Sequence, residues 1–176
     1  AHDPHVYGIE VENTSLLQLF QKTIHEKDPV PSLQELLLAA RAQNTTHPVI
    51  EIKDSQKGLA RTLQLTDSVV SIVHRMKMQG YVEYISFNYE VLKRIRQLDP
   101  TAKTLYLMEG KKELKELVDD RISGIDYSYY AYRKDKDLTR KAQEAGLLTN
   151  VWTVNNAEEL QQYYLLGVDY LSLIHI

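Results

Sequence analysis

Along most of the chain, short apolar runs alternate with longer stretches in which apolar residues recur at helical spacing. Six runs rich in β-branched and aromatic residues predict strands over residues 49–53, 82–87, 104–108, 124–130, 148–154 and 168–173. Successive runs lie roughly 20 to 35 residues apart, the interval that one strand and its crossover helix require. The pattern therefore predicts a parallel sheet with helical connections.

The stretches between the strands carry start and stop signals for helices. They predict one helix that opens at Ser32 and others over residues 59–79, 89–98, 111–120, 136–145 and 157–166. Ser32 and Glu35 have the S-x-x-E spacing of a capping box. Other end signals have the same meaning: two asparagines stand at N-cap positions and two glycines at C-cap positions, namely Asn88, Asn156, Gly146 and Gly167.

Two architectures satisfy this alternation, an open doubly wound sheet and a (β/α)8 barrel. Periodicity does not separate them, because both consist of parallel strands with helical crossovers. A complete barrel takes about 250 residues. A barrel of 176 residues therefore implies that some β/α units of the full fold are missing.

Composition narrows the class of protein but assigns no activity. The chain has 43% hydrophobic and 26% charged residues, a net charge of −3 and a pI near 6.1, as expected for a soluble globular domain. Neither nucleic acid nor stable membrane insertion is expected, because the chain has no basic excess and no run of about 20 apolar residues. The chain has no cysteine, so disulfides are excluded. The composition does not decide whether the protein is cytoplasmic or is periplasmic or secreted.

The most informative segment is the predicted strand over residues 49–53. Side chains alternate in a strand, so Glu51 and Lys53 share one face while Ile50 and Ile52 take the other. Two charges at the carboxyl end of a buried parallel strand are costly unless a ligand or a reaction uses them. A carboxylate there can bind a divalent cation, and an ammonium can neutralise a phosphate oxygen. A plain ion pair at a solvated strand end is the alternative interpretation.

Other candidate residues are weaker when taken singly. His2 and Asp3 alone are typical of solvated surface, and Trp152 at a strand end either borders a pocket or packs against a helix. The six histidines lack H-x-x-x-H and H-E-x-x-H spacing, which disfavours zinc. No G-x-S-x-G, Walker or G-x-G-x-x-G motif is present, which removes most support for serine hydrolases, nucleotidases and dinucleotide enzymes.

Taken in order, seven segments resemble the glycerophosphodiester phosphodiesterase family of the phospholipase C-like superfamily. They are His2-Asp3, Pro31-Ser32-Leu33-Gln34-Glu35-Leu36-Leu37, Ile50-Glu51-Ile52-Lys53, Tyr84-Ile85-Ser86-Phe87, Ala145-Gly146-Leu147, Val151-Trp152-Thr153-Val154-Asn155 and Gly167-Val168-Asp169. Each segment is weak by itself, whereas the ordered set is specific. The resemblance implies a (β/α)8 TIM barrel, incomplete here, with about six of the eight strands present and residues 1–176 forming a single partial domain.

The resemblance also implies an activity and site residues. The family hydrolyses a glycerophosphodiester to glycerol 3-phosphate and an alcohol, with Ca²⁺ or Mg²⁺ as the usual ion. Its His-Asp motif places a catalytic acid–base histidine at His2. Its Glu-x-Lys motif makes Glu51 a metal ligand and puts Lys53 in the phosphate pocket. Its Trp-Thr-Val-Asn segment places Trp152 at the border of the substrate site.

Three departures from the family pattern affect these expectations. The His-Arg-Gly strand and the Glu-x-Asp strand are absent, and residues 171–176 replace the family's Thr-Asp-x-Pro. We expect the six closing residues to be a non-native tail, because they match a translated sequencing-adapter end, and the chain to be a fragment without activity of its own. A non-catalytic binding module and a phospholipase of the same superfamily are the alternatives, and the oligomeric state is undetermined.

Overall fold

The N-terminal residues form a small unit that the hydrophobic pattern does not predict. The computed structural model describes residues 2–23, 30–43, 45–108 and 112–173. Strands β1 (His5–Val6) and β2 (Ile9–Glu10) make an antiparallel hairpin, followed by helix α1 (Leu16–Thr23). The hairpin turn takes positive φ at Tyr7 and Gly8, 51° and 75°, as a two-residue primed turn requires. Strands of two residues are too short to leave an alternation in the sequence.

Six parallel strands form one sheet in the order in which they occur along the chain. They are β3 (Val49–Glu51), β4 (Glu83–Ser86), β5 (Lys103–Met108), β6 (Gly124–Ser128), β7 (Leu148–Trp152) and β8 (Tyr170–Leu171). Each pairs in parallel with the next. This consecutive order is that of a barrel wall, because a doubly wound sheet reverses its strand order at a switch point. The predicted α/β fold, with six parallel strands arranged as in part of a (β/α)8 barrel, is confirmed.

The connecting helices are α2 (Leu33–Arg41), α3 (Leu59–Arg75), α4 (Tyr89–Leu98), α5 (Leu114–Asp119), α6 (Tyr129–Lys134), α7 (Leu138–Glu144) and α8 (Ala157–Leu165). Both hydrogen bonds of the predicted capping box are present: the Ser32 hydroxyl accepts from the Glu35 N–H, and the Glu35 carboxylate accepts from the Ser32 N–H. The side chains of Asn88 and Asn156 cap α4 and α8. Gly146 and Gly167 take φ of 77° and 71°, which confirms the predicted left-handed C-caps.

Most predicted strands and helices are one to four residues shorter in the structure, and three of the differences are instructive. The strand predicted over 124–130 ends at Ser128, because the Ser128 hydroxyl accepts from the N–H of Tyr130 and starts α6. The helix predicted over 59–79 ends at Arg75, two residues before Lys77 takes a left-handed φ of 56°. The helix predicted over 111–120 starts at Leu114, and Lys111 lies outside the described residues. The predicted tail residues 174–176 also lie outside the described residues.

Two apolar clusters lie on the outer face of the sheet, between the strands and the helices. One is built on β3 and β4 and includes Ile52, Tyr84 and Val73; the other is built on β5 to β7 and includes Ile125 and Val151. Because strand side chains alternate, the residues between these positions point to the inner, concave face. The inner face therefore carries the polar strand residues considered below.

A hydrogen bond across the concave side shows how strongly the sheet curls. The Tyr170 hydroxyl of β8 donates to Glu83 Oε1 of β4 over 2.9 Å, although three strands separate them. Lys103 Nζ of β5 lies 3.3 Å from the same carboxylate oxygen. A flat sheet would hold β4 and β8 about 19 Å apart at a spacing of about 4.8 Å per strand. The curvature is thus that of a barrel wall.

Candidate active site

Glu51 and Lys53 meet on the concave face at the carboxyl end of β3. Lys53 Nζ lies 2.7 Å from Glu51 Oε1, which confirms that the two side chains share a face. The Lys53 side chain is 42% exposed and that of Glu51 22%, so the pair faces solvent in the mouth of the half-barrel. The two charges therefore neutralise each other where a charged ligand can reach both.

The strand end that carries this pair is held by the next β/α unit. The buried Ser86 hydroxyl donates to the carbonyl oxygen of Ile52 over 2.6 Å and accepts from the N–H of Asn88. The Asn88 amide donates to Asp54 Oδ1 over 2.6 Å. These bonds tie the segment around Lys53 to the start of α4. The rim between β3 and β4 is thereby ordered by backbone and side-chain contacts together.

Asp126 is a second inner-face carboxylate that the sequence reasoning missed. It lies in the middle of β6, in register with Leu107 of β5 and Asn150 of β7, and is only 2% exposed. Burial raises the pKa of Asp126 to about 7, the charge of Glu51 adds to the rise, and a hydrogen bond from Asn150 opposes it. Asp126 Oδ1 has no hydrogen-bond partner among the described residues.

A sequence signal for Asp126 did exist. Within the strand predicted over 124–130, Asp126 lies on the same face as Gly124 and Ser128. Ile125 and Tyr127 lie on the opposite, apolar face. A lone carboxylate on one face of an otherwise buried strand is the same cue that singled out Glu51. The strand register puts Glu51 and Asp126 on the same concave face, and the charge of Glu51 adds to the raised pKa of Asp126.

Trp152 lies at the carboxyl end of β7 and belongs to this concave site. Its position in register with Ser128 puts it on the inner face. The indole Nε1 donates to the main-chain oxygen of Asp126 over 3.0 Å, and the ring meets Phe87 edge-on at a centroid distance of 5.9 Å. Trp152 and Phe87 thus add an aromatic wall beside the carboxylates.

His2 is not brought into direct contact with the other predicted site residues. It is exposed, and its Nδ1 lies 2.9 Å from Asp3 Oδ1. Within the described ranges no hydrogen bond or ion pair joins His2 to Glu51, Lys53 or Trp152. Glu51 and Lys53 are therefore in direct contact, Trp152 shares their concave face and contacts Asp126, and His2 lies apart from all three in the described contacts.

The donor set of the described residues does not make a complete site for a divalent cation. Ca²⁺ and Mg²⁺ take six or more oxygen ligands, usually with several carboxylates. In the part of the chain that the structure describes, no three His, Cys, Asp or Glu side chains come together. Glu51 can supply one carboxylate, but the ammonium of Lys53 already lies against it. The described residues by themselves therefore do not form a divalent-cation site.

A curled parallel sheet with polar side chains at the carboxyl ends of its strands defines the chain as a (β/α)8-type barrel with an enzyme-like site. A sequence model of the glycerophosphoryl diester phosphodiesterase family matches residues 6–172. The chain thus belongs to this family of phosphodiester hydrolases, whose members generally depend on a divalent cation. None of the described helices combines the length and apolar character that a membrane span needs.

Comparison with individual proteins agrees with the family. A glycerophosphodiester phosphodiesterase from Parabacteroides distasonis superposes with a TM-score of 0.91 at 25% identity, over 98% of this chain and 72% of that one. An Oleispira antarctica phosphodiesterase in complex with sn-glycerol-3-phosphate has a TM-score of 0.53 at 17% identity, over 62% and 47%. An uncharacterized Mycoplasma genitalium protein is 28% identical over 117 residues, 65% of this chain and 47% of that protein.

Proposed function

We propose that a protein containing this chain, together with the strands that complete the family barrel, hydrolyses glycerophosphodiesters to glycerol 3-phosphate and an alcohol. The family match over residues 6–172 supports the reaction class. The structurally similar Oleispira antarctica phosphodiesterase holds sn-glycerol-3-phosphate as product, which supports a small glycerophosphate ligand. The chain spans only 47% to 72% of the lengths of these relatives, so the activity is proposed for the larger protein.

The single observation that carries the proposal is the ion pair of Glu51 and Lys53 on the concave rim. In the larger protein, Lys53 would neutralise a non-bridging phosphate oxygen, and Glu51 would contribute one of the oxygen ligands of Ca²⁺ or Mg²⁺. The cation would supply Lewis-acid activation of the phosphate there. Trp152 borders the glycerol-phosphate position, and His2 transfers a proton to or from the reacting oxygens.

The 176 residues by themselves are proposed to be inactive. Glu51 alone offers a divalent ion one carboxylate, and the described residues add no cluster of three candidate ligands. Absence of one of two proton-transfer groups costs a further factor of roughly 10² to 10⁴. Mg²⁺- or Ca²⁺-dependent hydrolysis of glycerophosphocholine by the 176-residue chain would overturn this part of the proposal.

The test is a steady-state assay of glycerophosphocholine hydrolysis by the larger protein, with enzymatic detection of glycerol 3-phosphate. We expect Glu51→Gln and Lys53→Met each to lower kcat/KM by about 100-fold or more, since each removes a charge that acts on the reacting phosphate. We expect His2→Ala to lower kcat by roughly 10² to 10⁴. Glu144→Gln, an exposed carboxylate on α7, is the matched control and should leave the rate unchanged.

Two outcomes discriminate between the candidate functions. If the larger protein binds glycerol 3-phosphate but hydrolyses no glycerophosphodiester with either cation, it is a binding module rather than an enzyme. If it cleaves intact phospholipid faster than glycerophosphocholine, the phospholipase alternative replaces the present proposal.

A further inference from the structure

The loop after β3, residues 54–58, directly follows the segment that carries Glu51 and Lys53. It is shaped by internal bonds: the Ser55 N–H donates to Thr62 Oγ1 over 2.9 Å, and the Lys57 N–H donates to Ser55 Oγ over 3.0 Å. The chain then turns into α3 at Gly58, which takes a φ of 92°. The loop is thus a structured part of the rim beside the candidate active site.

The N-terminal unit, residues 2–23, is held together by hydrogen bonds of its own. The Val11 N–H donates to the Pro4 carbonyl oxygen over 2.9 Å, and the Thr14 hydroxyl donates to the Glu10 carbonyl oxygen over 2.6 Å. Ser15 and Gln18 form a capping box at the start of α1. His2 and Asp3 are part of this unit, so its placement sets where the histidine lies.

Glu12 joins the N-terminal unit to the loop with both of its carboxylate oxygens. The Ser55 hydroxyl donates to Glu12 Oε1, and the Gln56 N–H donates to Glu12 Oε2 over 2.9 Å. Lys57 Nζ lies 3.5 Å from the Glu12 carbonyl oxygen. These contacts bridge 43 to 45 residues of sequence. The two hydrogen bonds hold the pKa of Glu12 below its usual range, so the carboxylate is charged at neutral pH.

We propose that Glu12 is a positioning residue that fixes the N-terminal unit, and with it His2, relative to the rim that carries Glu51 and Lys53. A carboxylate that accepts two donors of one ordered loop defines both the distance and the orientation of the two segments. A single surface ion pair would define neither, because long exposed side chains retain many geometries. The connection of this role with catalysis rests on the proposed function, whereas the positioning itself does not.

The test measures the geometry directly and uses no catalytic readout. The chain has no cysteine, so spin labels at His5→Cys on β1 and Arg61→Cys on α3 report one distance between the N-terminal unit and the barrel. We expect a narrow distance distribution in the otherwise native chain and a distribution at least twice as broad in Glu12→Ala. Glu12→Asp, which retains the carboxylate, should restore most of the narrow distribution.

Glu10→Ala is the matched control, because Glu10 lies two residues away in the same N-terminal unit and contacts Thr14 through its main-chain oxygen. It should leave the distance distribution unchanged. The Gln56 amide proton provides an independent readout: its exchange with solvent should accelerate about tenfold in Glu12→Ala and remain slow in Glu10→Ala. Thermal unfolding of each variant separates loss of positioning from loss of the fold.

An unchanged distance distribution and unchanged Gln56 exchange in Glu12→Ala would overturn the proposal. The proposal would fail equally if the broader distance distribution of Glu12→Ala were accompanied by a lower unfolding temperature and Glu12→Asp did not restore the narrow distribution. Because no activity is measured, failure of this inference and failure of the proposed phosphodiesterase function are distinguishable.

Discussion

Glu51 and Asp126, two of the carboxylates on the concave face, lie in opposite surroundings. Glu51 ends β3, which within the described sheet is an edge strand, and its side chain is paired with Lys53 and partly exposed. Asp126 lies in β6, between two neighbouring strands, with 2% exposure and one oxygen without a described partner. The same chemical group is therefore ion-paired and partly exposed at one position, and desolvated with a raised pKa at the other.

The difference between Glu51 and Asp126 shows that the position of a carboxyl group in the sheet determines its exposure and its partners. At the rim, the Glu51 carboxylate lies 2.7 Å from an ammonium and is open to solvent, where a ligand can reach it. In the interior, desolvation penalises the charged form and raises the pKa of Asp126 to about 7. A charged residue buried without a full set of partners costs stability, so Asp126 makes the stability of the fold depend on pH.

The largest expected effect is that Asp126→Asn stabilises the chain at alkaline pH. With its pKa raised from 3.8 to about 7, Asp126 keeps its proton longer in the folded than in the unfolded chain. The stability is therefore full below about pH 4 and falls as the pH rises to about 7, by about 4 kcal/mol at 1.36 kcal/mol per pKa unit. Urea unfolding should show Asp126→Asn about 4 kcal/mol more stable at pH 8 and nearly equal at pH 4.

The control for this comparison is Asp119→Asn, which removes an exposed carboxylate paired with Lys115 on α5. It should change the stability by no more than about 1 kcal/mol at either pH. Equal stabilities of Asp126→Asn and the native chain at pH 8 would show that Asp126 is not held in a desolvated site.

A smaller effect is expected when the close contact of β6 with β7 is disturbed at Gly124. A Cβ atom at this position would clash with the Leu148 main-chain oxygen and would lie 2.8 Å from Leu148 Cβ. Gly124→Ala must therefore push the two strands apart, two residues before Asp126 and on the same face. We expect a loss of about 3 kcal/mol in the free energy of unfolding at pH 5.

The same substitution sharpens the comparison between the two carboxylates. Separation of β6 and β7 admits water to Asp126, so the pH dependence of stability between pH 4 and pH 7 should become shallower in Gly124→Ala. Gly80→Ala is the matched control, since a Cβ atom there meets nothing within 4 Å. If the pH dependence of stability were unaltered in Gly124→Ala, the close contact of β6 with β7 would not be what excludes water from Asp126.

The smallest expected change in stability is that of Glu51→Gln. Its partner is an exposed ammonium, and such pairs contribute about 0 to 1 kcal/mol. The informative result is the midpoint pH of the fall in stability that accompanies ionisation of Asp126. This midpoint should move to lower pH, because the charge of Glu51 raises the pKa of Asp126. Unfolding measured from pH 4 to pH 8 tests this, with Glu144→Gln as the control. An unchanged midpoint would show that the charge of Glu51 does not affect the pKa of Asp126.

Local sequence signals determined the elements of the barrel wall. The strand runs and the caps at Ser32, Asn88 and Gly146 act through backbone groups within a few residues, so they are readable without tertiary structure. Glu51 and Lys53 were readable for the same reason, because alternation along a single strand puts them on one face. The N-terminal hairpin escaped prediction, because two-residue strands leave no periodicity.

Tertiary structure alone decided which of these side chains meet and in what electrostatic state. Asp126 stood in the sequence as one acidic residue of a predicted strand, and only its burial between β5 and β7 makes it a near-neutral acid. The contact of Glu12 with Ser55 spans 43 residues, and no local pattern encodes it. Burial and long-range contacts depend on how distant segments pack, whereas periodicity and capping depend on neighbours along the chain.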